Sequence, residues 1–307
     1  MNNIFQEPMQ PWPALKPFGK TITLSSLNVD LFFYEAGQEN QNTILMIHGL
    51  GDEADTWRHI FLPLSEIFHV IALDLPGFGR SQKTNRDYSV AFFEKSLLGL
   101  IENLKIVHPI LLGSSLGGIL SHHLALSNPS RFLGLILVGG ALNQDGMEMN
   151  LFMRLMQIPL LGEWLYTRLR KDPQAAYDSL QSVYYDLNNL PEIDRNFLFT
   201  RVNQRVWDDG QKHAYFSTLR NLFRWRRNQQ PNLINKLMKL DIPTLVVRGE
   251  YDQLFSSLNG LAVTKKQPEA QMRQIPGAGH LPHQENPSKF LNEVNDWLSQ
   301  QIITNKV

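Results

Sequence analysis

Pro109-Ile110-Leu111-Leu112-Gly113-Ser114-Ser115-Leu116-Gly117-Gly118 runs from a short apolar strand, through a serine flanked by glycines, into a helix spanning residues 116–127. A strand that turns straight into a helix holds one residue on a sharp, strained elbow. The residues two before and two after the apex must be small, because the backbones nearly touch there. Gly113 and Gly117 occupy those places and Ser115 occupies the apex. This G-x-S-x-G pattern predicts an exposed hydroxyl at the top of a parallel sheet. The positive end of the helix that follows favours negative charge developing nearby. Five positions with three specified recur by chance, so the reading depends on whether the chain supplies partners for the serine.

The sequence on either side supplies the sheet. Residues 21–24 and 29–34 read as two strands joined by a turn, and 43–47 (Thr-Ile-Leu-Met-Ile) is a near-continuous apolar run of the kind covered on both faces. The same signature recurs at 70–73, 110–112, 135–138 and 244–247, and a more polar strand follows at 271–275. Helices are expected over 54–65, 88–107, 116–127 and 287–300. Short apolar strands alternating with helices predict βαβ units, and hence a mostly parallel eight-stranded α/β sheet with helices on both faces. Reactive groups in such sheets lie beyond the carboxyl ends of the strands. His48, Asp74 and Ser115 all fall at those ends.

Composition narrows the function. Basic and acidic residues balance at 29 each, which points away from nucleic acid as a partner. There is no cysteine, so disulfides, thiolate metal sites and a cysteine nucleophile are excluded, and a cytoplasmic protein is expected. Residues 1–20 are rich in proline and lack the apolar run of a signal peptide. No stretch approaches the about 18 apolar residues of a spanning helix.

A serine hydroxyl is a weak nucleophile until a base takes its proton, and the base needs a third group to hold its tautomer. After Ser115 the chain offers Asp252 beyond one strand and His280 beyond the last, in the order serine, acid, histidine expected for this elbow. Ser114 lacks the flanking glycines. His283 competes with His280, which follows the flexible Gly277-Ala278-Gly279, and reads as an exposed or supporting histidine. Glu250 and Asp145 compete with Asp252. Asp74 reads as a residue that shapes its own loop, and His48 as a structural hydrogen-bonding group.

Together, His48-Gly49, Asp74 to Ser81 (Asp-Leu-Pro-Gly-Phe-Gly-Arg-Ser), Gly113 to Gly118, Gly249 to Asp252 and Gly277 to His280 resemble the α/β-hydrolase fold superfamily. The Asp74 to Ser81 loop and the segment from His280 to Pro287 look like its branch of esterases, lipases and carbon–carbon bond hydrolases. The resemblance covers nearly all of the chain outside residues 143–235. It implies a catalytic triad of Ser115, Asp252 and His280, with the backbone N–H groups of Leu50 and Leu116 as the oxyanion hole. Neither a metal nor an organic cofactor is implied.

From 143 to 235 the strand rhythm stops and the sequence is helical, with Met147, Met149, Leu151, Phe152, Met153, Leu155, Met156, Leu160, Leu161, Trp164, Leu165 and Tyr166 crowded together. The resemblance makes this insertion a cap between the core segments 21–142 and 236–307, after an N-terminal extension of 1–20. Its apolarity exceeds one helical stripe, although Pro159 and Gly162 interrupt it. Two accounts are open: packing onto the core, or a lid lining an acyl pocket and touching a membrane surface peripherally. The basic run Arg224-Trp225-Arg226-Arg227 reads as a solvated helix face, with a phosphate-binding role as the alternative.

The resulting expectation is a serine hydrolase that cleaves lipophilic carboxylic esters, such as monoacylglycerols. A carbon–carbon hydrolase of vinylogous diketo acids would use the same triad and would need a cationic clamp for its substrate. A dehalogenase or epoxide hydrolase would carry an aspartate where Ser115 stands. A hydrolase-like fold kept as a small-molecule binding protein is the alternative of a different class.

Overall fold

The apolar runs set the sheet. A computed structural model describes residues 4–142, 151–255, 257–267 and 269–303. Eight strands, β1 (Gly19–Leu24), β2 (Val29–Ala36), β3 (Thr43–Ile47), β4 (His69–Leu73), β5 (Ile110–Ser114), β6 (Gly134–Val138), β7 (Thr244–Gly249) and β8 (Ala270–Ile275), form one sheet in the order β1-β2-β4-β3-β5-β6-β7-β8. The pairs β1–β2 and β2–β4 are antiparallel and all others are parallel, so the expected mostly parallel eight-stranded α/β sheet is the observed one. Every residue of β3, β5, β6 and β7 is buried, which is why these runs show no polar alternation.

Successive residues of a strand point to opposite faces. Leu45 and Ile47 pack on one side with Phe93, Leu97 and Leu100 of α2 (Val90–Asn103) and with Leu116, Leu120 and Leu124 of α3 (Leu116–Ser127). Ile44 and Met46 pack on the other with Phe61 and Leu64 of α1 (Phe61–Ser65), and with Phe290, Val294 and Trp297 of the C-terminal helix Pro287–Leu298. Ser89 caps α2 by accepting the Phe92 N–H. Helix α3 is buried nearly all round, as its apolar sequence requires.

Three local expectations change. The helix expected over 54–65 is a 3₁₀ turn, Ala54–Trp57, followed by the five-residue α1. Asp55 in that turn is drawn into buried ion pairs, and Pro63 interrupts the hydrogen-bond ladder further on. The helix expected over 88–107 is trimmed at both ends to α2. At the C-terminus the last helix ends at Leu298 and widens into a π turn, Ser299–Ile303.

Between β6 and β7 the described chain is helical: α4 (Leu151–Met156), α5 (Leu161–Arg168), α6 (Pro173–Asp178), α7 (Glu192–Trp207) and α8 (Asp209–Leu237). Asp145, Met147 and Met149 lie outside the described residues. Met156, Phe216 and Leu219 form an apolar cluster with Leu165, Tyr166, Tyr215, Phe223 and Leu50, so this layer rests on the turn that follows β3. Another attachment is ionic. Asp194 of α7 takes Arg58 at 2.5 Å and His59 at 2.8 Å, Arg201 pairs with Glu53 and Asp55, and Arg205 pairs with Asp52 and Glu53. The N-terminal segment crosses the same seam: Trp12 N–H donates to Asp55 and the Trp12 ring meets Phe197 edge-on at 5.0 Å.

Candidate active site

At the carboxyl edge of the sheet, Ser115 stands between β5 and α3 with φ 52° and ψ −113°. This left-handed backbone costs a non-glycine residue about 1–3 kcal/mol, and the surroundings hold it there. The Ser115 N–H donates to Val138 O at 2.8 Å, and its carbonyl accepts the first helical bond from Ile119. A Cβ at Gly113 would strike the Gly117 carbonyl, and one at Gly117 would strike the carbonyls of Ile47 and His48. Only glycine lets β5, α3 and the end of β3 approach so closely. Ser115 is half-buried, whereas Ser114 beside it is buried with its hydroxyl unpartnered.

The chain beyond β7 and β8 brings Asp252 and His280 together. His280 Nδ1 lies 3.0 Å from both Asp252 carboxylate oxygens, and both residues are buried. One of those oxygens also accepts the N–H groups of Leu254 and Phe255 at 2.9 Å, so the carboxylate is held in place before it holds the ring. With Nδ1 engaged, Nε2 is the ring nitrogen left for chemistry. The residues after β6 link ring and serine: a Cβ on Gly139 would lie 2.9 Å from the His280 ring, and one on Gly140 would strike the Ser115 backbone. Glu250, the rival carboxylate, instead accepts the Gly277 N–H.

Across from this pair runs the turn after β3. The Cβ position of Gly49 lies 3.2 Å from Ser115 Cβ and 3.9 Å from Oγ. Among the described residues, no protein acceptor takes the Leu50 or the Leu116 N–H. His48 accepts the Leu75 N–H at 2.8 Å through Nε2 and bonds the Gly49 carbonyl at 2.7 Å through Nδ1. Burial pushes its pKa down, which agrees with a neutral ring bracing two loops. Asp74 accepts from Ala54 N–H and from the Arg80 backbone and guanidinium. Its burial favours the neutral acid, but Arg80 and these donors overrule that and hold its pKa below the ordinary value.

Of the two readings open for His283, exposed or supporting, burial removes the first. This histidine is fully buried, bonded to Thr56 Oγ1 at 3.0 Å and packed against Trp57. Burial first, and then nearby Arg58, drive its pKa well down. The cause is α10 (Pro282–Glu285), which follows α9 (Ser257–Lys266) in the chain and lays His283 and Gln284 against the Ala54–Trp57 turn. The buried arginines at the seam went unread in the sequence, since their partners lie more than 130 residues away. Arg224 meets Asn221 on an exposed face of α8. Among the described residues there is no group of three or more metal-ligating side chains, and no helix is long and apolar enough to cross a membrane.

A model of the alpha/beta hydrolase fold matches residues 42–287. An uncharacterized protein of Mycobacterium tuberculosis (strain H37Rv) is 28% identical over 263 residues, covering 83% of this chain and 74% of its own. The 2-hydroxy-6-oxononadienedioate/2-hydroxy-6-oxononatrienedioate hydrolase 2 of Pseudomonas putida is 24% identical over 90% of this chain and 94% of its own. Among solved structures, a thermophilic esterase from Thermogutta terrifontis superimposes with a TM-score of 0.72 at 23% identity, over 92% of this chain and 98% of that one.

Proposed function

The chain belongs to the α/β-hydrolase fold family, and on that premise we propose that it is a serine hydrolase cleaving lipophilic carboxylic esters, monoacylglycerols being the type, through an acyl-enzyme on Ser115. The observation that carries this reading is a serine held at φ 52° on the elbow and, across Gly139 and Gly140, a histidine whose Nδ1 is fixed by a buried carboxylate. In this reading His280 Nε2 takes the Ser115 proton as Oγ attacks the ester carbonyl, and Asp252 steadies the imidazolium that forms. The Leu50 and Leu116 amides receive the oxyanion, each such donor being worth about 2.7–4 kcal/mol in the transition state. The C–O bond then breaks and His280 protonates the departing alcohol. Water attacks the acyl-enzyme with His280 as base, and Ser115 recovers its proton.

Two features support a lipophilic ester. Leu50, one of the two proposed donors, packs in the apolar cluster of Met156, Phe216 and Leu219. On the outer side, Ile158, Leu160 and Trp164 are exposed near the α4–α5 turn, with Arg168 over the Trp164 ring at 4.8 Å. That arrangement suits peripheral contact of the inserted helices, read as a cap, with a membrane surface. The rival reading is a carbon–carbon hydrolase, favoured by the name of the Pseudomonas putida relative. Such a substrate presents carboxylates, and the buried Arg58 and Arg201 and the partly buried Arg80 and Arg205 already hold carboxylates of this chain.

The test is a series of p-nitrophenyl esters of increasing acyl length, with a hydroxy-oxo-dienedioate as comparison. We expect kcat/KM to rise with chain length and no turnover of the dienedioate. Turnover of the dienedioate alone would replace this reading with the rival one.

A further inference from the structure

The His280 loop and the inserted helices share a carboxylate. Glu285, the last residue of α10, accepts the Gly279 N–H through Oε1 at 2.8 Å and the Tyr185 N–H through Oε2 at 2.6 Å. Gly279 immediately precedes His280, and Tyr185 lies in the segment joining α6 to α7. The two segments are joined again next door, where the His280 N–H donates to Val183 O at 2.9 Å. The Tyr185 and Tyr251 rings stack at 3.9 Å, which extends the join to the residue before Asp252. Among the described residues no basic side chain forms an ion pair with Glu285, so its bonds to main-chain amides are what hold it. Burial pushes the Glu285 pKa up, while the amides of Tyr185, Gly279, Leu281 and Asp186 pull the other way.

A carboxylate spanning two amides on separate segments fixes their relative position more tightly than either bond alone, because moving one segment strains the other. We propose that Glu285 is a positioning residue for the reaction of Ser115: by tying Gly279 to Tyr185 it sets where His280 presents Nε2. The proposal rests on the serine-hydrolase reading above.

The test uses full-length protein carrying Glu285→Ala or Glu285→Gln, with Lys289→Ala as a nearby surface control. For a short p-nitrophenyl ester, kcat falls by about ten- to hundredfold in Glu285→Ala with KM within twofold, the loss expected for a misplaced base. Glu285→Gln retains one acceptor oxygen and recovers part of that loss. A second readout needs no turnover: the low-field proton resonance of the His280 Nδ1–H, protected in wild type and in the control, broadens or vanishes in Glu285→Ala. Unchanged kcat and an unchanged resonance in folded Glu285→Ala overturn the proposal. So does a loss in both variants that merely follows the unfolded fraction. If wild type turns over no ester, the serine-hydrolase reading fails, and the resonance still decides whether Glu285 fixes the ring.

Discussion

Between β3 and β5 the paired residues include Leu45 with Leu111 and Met46 with Leu112; between segment 52–59 and α7 they are Glu53 with Arg201 and Arg205, and Asp194 with Arg58 and His59. Both regions are buried, but apolar contacts are non-directional and tolerate small shifts, whereas buried ion pairs hold only in one geometry. The sheet therefore supplies stability and the seam supplies registration. The side chains proposed for catalysis come from loops on the sheet, and the seam fixes α7 against residues 52–59, just beyond the turn that follows β3.

Two substitutions break the comparison most strongly. Phe93→Ala, in the fully buried layer under the sheet, should cost about 3–5 kcal/mol, with every part of the chain unfolding at the same urea concentration. Asp194→Ala strands the buried Arg58 charge and should also cost about 3–5 kcal/mol. Its hydrogen exchange should quicken in α7 before it does in β3 and β5. Equal quickening in sheet and helix would show that the seam is not a separate level of organisation.

Acid sharpens the contrast. His48, His122 and His283 are fully buried, and burial lowers the pKa of each, that of His122 to about 3. In each case the unfolded chain binds the proton first, so stability is complete above about pH 6.5 and falls as the pH drops below it. Each histidine contributes a slope of about 1.4 kcal/mol per pH unit until its folded pKa is reached. Urea midpoints at pH 7.5, 6 and 5 measure the slope, and a flat profile would refute the assignment of neutral buried rings. The smallest effect belongs to the surface. Lys289→Ala, which removes a half-exposed pair with Glu293, should change stability by about 0.3–0.5 kcal/mol.

The same contrast explains what the sequence made legible. Runs such as Thr43–Ile47 and the glycines around Ser115 carry their meaning locally, in hydropathy and spacing, so the strands and the close approach at the elbow can be read directly. Asp252 and His280 are legible one step less directly, as residues following strands in an expected order. Arg58 and Asp194 have no such signature, because a charged residue near a loop reads the same whether it faces water or a partner 136 residues away. For the same reason the sequence leaves His283 open between an exposed and a supporting place: only the fold of α10 against the Ala54–Trp57 turn puts it inside. Glu285 was visible as one letter of a family-like segment, but its bonds go to backbone amides, which a side-chain pattern does not record.

The most direct measurement is mass spectrometry of the peptide modified by a fluorophosphonate probe, in wild type and in Ser115→Ala. The account predicts one adduct, on Ser115, which disappears in Ser115→Ala while the protein stays folded. An adduct on another serine, or none on folded wild type, would contradict it.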